Sequence, residues 1–274
     1  MKTRILVAAV GIPLLLVIIL FAPLWALGLV FAAISGIGAW ELLRCTTDDV
    51  PRGVYICACA AAAAIEFCSA FPWWTTAIPA ILFLLVLSVS AVTVLSFRGG
   101  TPLPLAIPAA ALAGGGVLPV LLSAVVRLGL ADSGIYYLLL VFVVTFSCDS
   151  GAYFVGCLLG KNHIAPHVSP NKTMEGCLGG LAAGILMAVV YGAILALCFD
   201  MTVRFAPLAA YGCLCSIACE LGDLSFSAVK RIVGIKDYSN LIPGHGGALD
   251  RFDSMHFTAA MLELLAALVP VIVK

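Results

Sequence analysis

The segment WTTAIPAILFLLVLSVSAVTVLS, residues 74–96, decides the fold class of this protein. It contains no Asp, Glu, Lys or Arg, and a helix of this length reaches across the roughly 30 Å hydrocarbon core of a bilayer. Similar stretches recur along the 274-residue chain, which is 63% hydrophobic and 10% charged, with a mean hydropathy of +1.17. Because a soluble domain carries about 25% charged residues, the composition predicts an all-α protein that crosses a membrane several times.

Nine stretches approach the roughly 20 apolar residues that a spanning helix needs, so we predict a polytopic bundle of about nine spans. The predicted spans are residues 5–21, 24–43, 54–70, 74–96, 106–127, 135–158, 176–198, 205–228 and 252–273. The N-terminus begins like a signal peptide, but no small-residue cleavage site precedes a polar sequence, so we expect a retained first span. We divide the chain into two transmembrane bundles, residues 1–130 and 131–274.

Lys and Arg are distributed unequally between the two sides of the membrane that nine spans define. Eleven of the fourteen fall on the side of the N-terminus: Lys2, Arg4, Arg44, Arg52, Arg98, Lys161, Lys172, Lys230, Arg231, Lys236 and Arg251. The other three are Arg127, Arg204 and Lys274. Because positive residues accumulate in cytoplasmic loops, we expect the charged loops to face the cytoplasm. The net charge is zero, which gives no indication of nucleic-acid binding.

Asp149 is an acidic residue deep inside the sixth predicted span, where a charge costs about 2.5–3.5 kcal/mol on insertion scales. Its position suggests a functional site, and a structural hydrogen bond to a neighbouring helix is the alternative. Glu66 and Glu263 lie closer to span ends, which favours structural roles. The eleven cysteines form no C-x-x-C pair and lie mostly in apolar runs, so we interpret them as packing side chains.

The segment ELGDLSFSAVKR, residues 220–231, covers the end of the eighth predicted span and the residues just after it. If the helix continues, Glu220, Asp223, Ser227 and Lys230 lie along one stripe, since a helix turns every 3.6 residues. Two acids, a hydroxyl and a cation on one face predict one wall of a metal–phosphate site. A solvated, salt-bridged helix end would have the same pattern.

The segment from Lys236 to Asp253, KDYSNLIPGHGGALDRFD, collects charge and glycine. Glycines within Pro243–Gly247 permit backbone conformations that direct successive N–H groups at an anion. Asp250 and Asp253, three residues apart at a predicted helix start, can converge on one ion, and Asp223 is a further hard oxygen ligand. Mg²⁺ is held by one or two carboxylates plus phosphates and water. The segment therefore predicts a Mg²⁺-dependent nucleotide phosphate site, although no Walker A or G-x-G-x-x-G motif is present.

The connection 159–175 is longer than a bundle loop requires. Its end reads SPNKTMEG, residues 169–176, in which Lys172 and the hydroxyl groups are suited to binding phosphate oxygens. Thr173 or Asn171 could instead cap the following helix.

Three motifs carry a resemblance to a known family. The pattern S-A-V-K-R-x4-K-D-x-S-x2-I-P-x-H-G-G-A-x-D-R-F-D, residues 227–253, resembles the signature of the phosphatidate cytidylyltransferases, also called CDP-diacylglycerol synthases. SPNKTMEG resembles that family's second motif, and Asp149 with Ala152 and Tyr153 resembles its D-x-x-A-Y element. The resemblance runs from about residue 135 to the end. Ala248 departs from it, since the family usually has a larger aliphatic residue there.

The resemblance implies transfer of the cytidylyl group of CTP to phosphatidic acid, giving CDP-diacylglycerol and pyrophosphate, for phospholipid biosynthesis. It implies Mg²⁺, a monovalent cation such as K⁺ and a homodimer. We expect a multi-pass protein of the bacterial inner membrane whose catalytic loops, in residues 131–274, face the cytoplasm. The expected metal ligands are Asp223, Asp250 and Asp253. The expected catalytic residues are Asp223, Asp250, Lys230, Arg231, Lys236 and His245. The expected nucleotide- or lipid-binding residues are Ser169, Lys172, Thr173, Glu175, Ser227, Gly246, Gly247 and Asp149.

Two other functions fit parts of the pattern. A CTP-dependent polyprenol or phytol kinase also places charged loops beside apolar spans, but it would release CDP instead of pyrophosphate. A transporter could use Asp149 and Glu220 as coupling sites. Transporter sites lie near the bilayer midplane, whereas the charge here is concentrated in the loops.

Overall fold

The computed structural model describes residues 16–47, 49–99, 102–241 and 246–273. The described chain is mainly α-helical and forms two compact units. The first unit contains the chain up to Leu130 together with Ile235–Phe252, and the second contains Ala131–Gly234 and Asp253 onward.

The first unit is built from apolar helices that follow prolines and small residues. Helices α1 (Leu24–Arg44) and α2 (Arg52–Cys68) each begin directly after a proline, Pro23 or Pro51, because a proline disfavours the helical conformation for the residue before it. Helix α3 (Trp74–Ser96) ends in a 3₁₀ turn, Phe97–Gly99. The remaining helical segments are α4 (Ala106–Leu112), a π-helical turn (Ala113–Val117), α5 (Leu118–Leu122) and α6 (Ala124–Leu128).

Glycines in the π-helical turn allow it to approach its neighbours closely. A Cβ atom at Gly115 would lie 2.8 Å from the Cα atom of Ala58 on α2, and one at Gly114 would lie 3.2 Å from the Cα atom of Ala39 on α1. Small residues at such contacts let membrane helices pack backbone to backbone. The turn therefore belongs to the core of the first unit.

The second unit contains long helices joined by a short hairpin. Helix α7 (Gly134–Leu159) leads into strands β1 (His163–Ala165) and β2 (Ser169–Thr173), which pair antiparallel, with His163 opposite Thr173. Helix α8 (Met174–Cys198) follows, then β3 (Thr202–Val203) and α9 (Phe205–Ile232). Helix α10 (Leu249–Leu268) precedes β4 (Ile272–Val273), which pairs antiparallel with β3. The two small sheets are an addition to the all-α class that composition predicts.

Helices α7 and α8 are in close contact because small residues line both. A Cβ atom at Gly151 would lie 2.5 Å from the Cβ atom of Ala183, and one at Gly176 would lie 2.9 Å from the carbonyl oxygen of Ala152. This contact sets the position of Asp149, which is carried by α7, relative to the start of α8.

Within the described residues, six helices are long and apolar enough to cross a membrane: Leu24–Arg44, Trp74–Ser96, Ala106–Leu128, Gly134–Leu159, Met174–Cys198 and Phe205–Ile232. They match six of the predicted spans and make this a multi-pass membrane protein. The predicted count of nine is not confirmed. Most of the first predicted span, 5–21, lies outside the described residues; α2 has 17 residues, at the lower limit for spanning; and α10 contains Asp250, Arg251 and Asp253, which reduce its hydropathy.

Candidate active site

Lys172 lies at the centre of an acidic cluster in the second unit. Strand β2 places its ammonium group against helix α9, where Nζ lies 2.7 Å from Oδ2 of Asp223 and 2.7 Å from Oε2 of Glu220. Nζ also donates to the carbonyl oxygen of Glu220 at 3.3 Å. The predicted continuation of the eighth span is confirmed, since α9 runs to Ile232, and this continuation puts both acids one turn apart on one face.

The two carboxylates keep Lys172 charged. Burial by itself lowers the pKa of an ammonium group, but the charges and hydrogen bonds of Asp223 and Glu220 outweigh it and raise the Lys172 pKa above its ordinary value. The side chains of Lys172 and Glu220 are only 12% and 13% exposed, whereas that of Asp223 is 34% exposed. Asp223 is therefore the acid of this pair with the better access to solvent.

Asp149 and Asp253 add two further carboxylates to the same region. Oδ1 of Asp149 accepts hydrogen bonds from the Ser254 hydroxyl and the Cys219 thiol, each at 3.5 Å. Burial, followed by the charge of Asp223, raises the pKa of Asp253 to about 7. A bound cation would lower the raised pKa values of such neighbouring carboxylates, because it favours their charged form.

Thiols contact two of these acids. Cys177 donates to Oε2 of Glu220 at 3.2 Å, and the Cys148 thiol lies 3.8 Å from Oε1. All eleven cysteines are described, and all are free. Their predicted role as apolar packing side chains therefore leaves out the polar contacts of Cys148, Cys177 and Cys219. The spacing of these residues in the sequence does not reveal these contacts, because each thiol reaches an acid on another helix.

The cluster opens into a cavity of about 200 Å³. Three carboxylates and one ammonium group supply the charged part of its lining, from Asp149, Glu220, Asp223 and Lys172. Ser169, Asn171, Thr173 and Tyr153 also line it. Sites for whole drug-sized ligands have volumes of about 300–1,000 Å³, so this cavity is sized for a phosphate group and its counter-ion.

Other predicted binding residues shape the hairpin that carries Lys172. Oγ1 of Thr173 accepts the N–H of Gly176 at 3.1 Å, so Thr173 is the N-cap of α8, as one of the two sequence interpretations proposed. Glu175 accepts the backbone N–H groups of Lys161 and Asn162 at 3.1 and 3.2 Å and thereby fixes the start of the hairpin. Nε of Arg231 donates to the carbonyl oxygen of Val168 at 3.1 Å. These contacts stabilise the hairpin from both sides.

Ser227 and Lys230 continue the stripe that Glu220 and Asp223 begin on α9. Both are buried, with 8% and 9% exposure. The charge of Lys230 acts on Asp253 and lowers its pKa, although less strongly than burial raises it. The C-terminal part of the stripe is therefore shielded from solvent, which argues against the alternative of a solvated helix end.

The remaining predicted residues belong to the first unit. Asp250 is 7% exposed, and its Oδ2 accepts the backbone N–H groups of Tyr238 at 2.8 Å and Gly247 at 3.0 Å. Gly246 has a φ of 81°, and a Cβ atom there would lie 2.9 Å from Oδ2 of Asp250. Lys236 is exposed. His245 lies outside the described residues.

The donor set of the second unit fits Mg²⁺. Among the described residues, no three His, Cys, Asp or Glu side chains are arranged to hold a metal ion by themselves. Mg²⁺ does not require such a cage, since it keeps several waters and binds through one or two carboxylates and substrate phosphates. Asp223 and Asp253 are oxygen donors with an excess of negative charge around them.

Fold and site together define a multi-pass membrane protein with an acidic pocket suited to a cation and a phosphate group. A sequence model of the cytidylyltransferase family matches residues 2–269, so the chain belongs to this family. It is 44% identical over 135 residues to the phosphatidate cytidylyltransferase of Bacillus subtilis and 40% identical over 134 residues to that of Staphylococcus haemolyticus. These matches cover 49% of this chain and 49% and 50% of the relatives, so they span about half the length of each protein.

Proposed function

We propose that this protein transfers the cytidylyl group of CTP to phosphatidic acid and releases pyrophosphate, forming CDP-diacylglycerol. The observation that carries the proposal is the ammonium group of Lys172 between Asp223 and Glu220, in a phosphate-sized acidic cavity of a membrane protein. Membership of the cytidylyltransferase family and the names of the bacterial relatives support the same reaction.

In this reaction a phosphate oxygen of the lipid attacks the α-phosphorus of CTP, and the bond to the β-phosphate oxygen breaks. The lipid phosphate is already an anion at neutral pH and needs no strong base. Catalysis therefore consists mainly of positioning and charge stabilisation. Lys172, which stays protonated, would pair with phosphate oxygens, and Lys230, Arg231 and Lys236 are the further cations assigned to the phosphates.

Asp223 and Asp253 are the residues that we expect to hold Mg²⁺ in the second unit. When bound, Mg²⁺ would neutralise phosphate charge and stabilise the pyrophosphate leaving group. Asp250 is a predicted third ligand; in the first unit its Oδ2 already accepts two backbone N–H groups. Asp149, through its hydrogen bonds to Cys219 and Ser254, would orient the acidic face of the cavity.

The expected location of the protein is the bacterial inner membrane. The excess of Lys and Arg on one side of the predicted spans, with the bacterial relatives, favours the bacterial inner membrane with the site on the cytoplasmic side. CTP is water-soluble, whereas phosphatidic acid remains in the bilayer, so the two substrates can meet only near the interface. A homodimer and a monovalent cation such as K⁺ are parts of the proposal that rest on the family resemblance.

The test is a reaction of the purified full-length protein in lipid nanodiscs with CTP labelled at the α-phosphorus, phosphatidic acid and Mg²⁺. We expect the label to enter the lipid with one pyrophosphate released per lipid modified, and we expect EDTA to stop the reaction. A CTP-dependent lipid kinase would transfer the γ-phosphate and release labelled CDP. Labelled CDP, or no lipid product with any tested ratio of substrates, would refute the proposal.

A further inference from the structure

Glu41 on helix α1 makes contacts that no motif in the sequence indicates. Its side chain is fully buried, in the first unit of the protein. Oε1 accepts the hydroxyl of Ser239 at 2.5 Å and the backbone N–H of Ala248 at 2.9 Å, and Oε2 accepts the backbone N–H of Leu249 at 2.9 Å. We name this arrangement of Glu41 with Ser239, Ala248 and Leu249 the Glu41 clasp.

The clasp binds the signature motif at two points that are distant in the sequence from Glu41. Ala248 and Leu249 form the start of helix α10, whose first N–H groups have no partner within the helix. A carboxylate that accepts such N–H groups stabilises the helix start through charge as well as through hydrogen bonds. Glu41 therefore acts as a remote N-terminal cap, supplied by a helix that lies about two hundred positions earlier.

Gly247 leaves room for the Glu41 carboxylate because glycine has no Cβ atom. A Cβ atom at position 247 would collide with both carboxylate oxygens of Glu41. The N–H of Gly247 donates in turn to Asp250, which also accepts the N–H of Tyr238. The carboxylates of Glu41 on α1 and Asp250 on α10 thus each accept hydrogen bonds both from Tyr238–Ser239 and from Gly247–Leu249.

We propose that Glu41 is a positioning residue for the cytidylyl transfer reaction, because its carboxylate holds the signature motif in shape around Asp250. This inference rests on the proposed function. If Glu41 positions the signature motif, the N-terminal helices contribute to the reaction as well as anchoring the protein in the membrane. Glu41 itself touches no substrate in this role; it acts through Ser239, Ala248 and Leu249.

The matched control is Glu66, the other fully buried carboxylate on the N-terminal helices. Oε1 of Glu66 accepts the Ser35 hydroxyl at 2.6 Å. Both residues of this pair precede residue 67, and among the described residues neither is hydrogen-bonded to the signature motif. A change in stability that follows from loss of any buried carboxylate should appear in Glu66→Gln as well as in Glu41 variants, whereas a positioning effect should appear only in the latter.

Hydrogen–deuterium exchange of the full-length protein in nanodiscs tests the clasp directly. In Glu41→Ala we expect the amides of Ala248 and Leu249 to exchange about tenfold faster or more, because their charged acceptor is lost. In Glu41→Gln the remaining carbonyl oxygen can keep Ala248 protected, while Leu249 faces an NH₂ group and loses protection. Glu66→Gln should leave both amides unchanged.

Kinetics test the positioning role. We expect the KM for CTP to rise about tenfold in Glu41→Ala, whereas a smaller folded fraction alone would lower the rate and leave KM unchanged. Gly247→Ala should reproduce the effect by displacing the carboxylate. If Glu41→Ala does not fold, Ser239→Ala removes one of the three hydrogen bonds without altering a charge and should raise KM in the same direction.

Unchanged exchange at Ala248 and Leu249 in the Glu41 variants would overturn the clasp. Equal KM values in Glu41 and Glu66 variants would overturn the positioning role. A wild-type protein that transfers no cytidylyl group would refute the proposed function and with it the link to that reaction, and the exchange data would still decide whether Glu41 holds the segment.

Discussion

Replacing Lys172 by Met should reveal how strongly the acidic cluster depends on the one cation that lines its cavity among the described residues. The substitution keeps most of the side chain's length and removes its charge, so the carboxylates of Asp223 and Glu220 lose their partner. Breaking a buried ion pair costs about 3–5 kcal/mol. Because the Asp223 side chain is 34% exposed and solvent screens part of its charge, we expect a loss of about 2–3 kcal/mol.

The assay is thermal unfolding in detergent, followed by the loss of the monodisperse peak in size-exclusion chromatography. A loss of 2–3 kcal/mol corresponds to a fall in Tm of about 5–10 °C for a protein of this size. Mg²⁺ should raise the Tm of Lys172→Met more than that of the wild type, since the variant has more uncompensated negative charge. Lys161→Met is the control, because Lys161 is exposed in the connection before the hairpin.

Lys172 itself should not titrate in the neutral range. The carboxylates raise its pKa in the folded protein, so its stabilising contribution is complete below the unfolded pKa of about 10.4 and is lost only as pH rises through the folded value. The Tm difference between Lys172→Met and the wild type should thus be constant from about pH 8 to pH 9, above the pKa of the neighbouring Asp253. Equal Tm values for the two proteins, or a difference that disappears between pH 8 and pH 9, would refute the charge argument.

Three further outcomes follow from the same contacts. Asp223→Asn should lower pyrophosphate release by about a thousandfold or more while the protein elutes as folded, because the more exposed of the two carboxylates beside Lys172 is lost; near wild-type release would remove Asp223 from the cation site. Gly180→Ala should cost about 1–3 kcal/mol of stability, because its Cβ atom would lie 2.8 Å from the carbonyl oxygen of Cys148 and 2.9 Å from Oε1 of Glu220; an unchanged Tm would show that α7 and the acid can both move away. Thr173→Ala should cost about 1 kcal/mol through loss of the α8 cap and Thr173→Ser should not, so equal Tm values for these two variants would contradict the capping role.

Much of the fold follows from local sequence. Six predicted spans coincide with long apolar helices to within three or four residues at their ends, because an uninterrupted apolar stretch can satisfy its backbone in a membrane only as a helix. Sequence analysis predicts the structure less well where charged residues occur within a helix, as in α10. It also does not predict that a connection forms paired strands, as in the β1–β2 hairpin. The polarity of residues 159–175 indicates a loop, but strand pairing depends on which residues face one another.

Some contacts of the candidate site follow from local sequence, and others do not. Helical spacing alone places Glu220 and Asp223 on one face of α9. The sequence does not show that Lys172 lies between them, since Lys172 is 48 and 51 positions away from the two acids. Sequence analysis also predicts that Cys177 is an apolar packing side chain, whereas its thiol contacts Glu220. Binding of phosphate by Ser169 and by the glycines of the signature motif stays a prediction.

The sequence by itself determined the membrane-embedded helical class, the clustering of acids, glycines and cations near the C-terminus, and the family. These properties depend on composition and on spacings shorter than a few helical turns. Only the tertiary structure decided which charges meet: Lys172 with Asp223, and Glu41 with the start of α10, 207 and 208 positions away. The physical reason is that a buried ion needs a partner within about 3 Å, and the helices that supply the two partners are brought that close by packing, which no local pattern encodes.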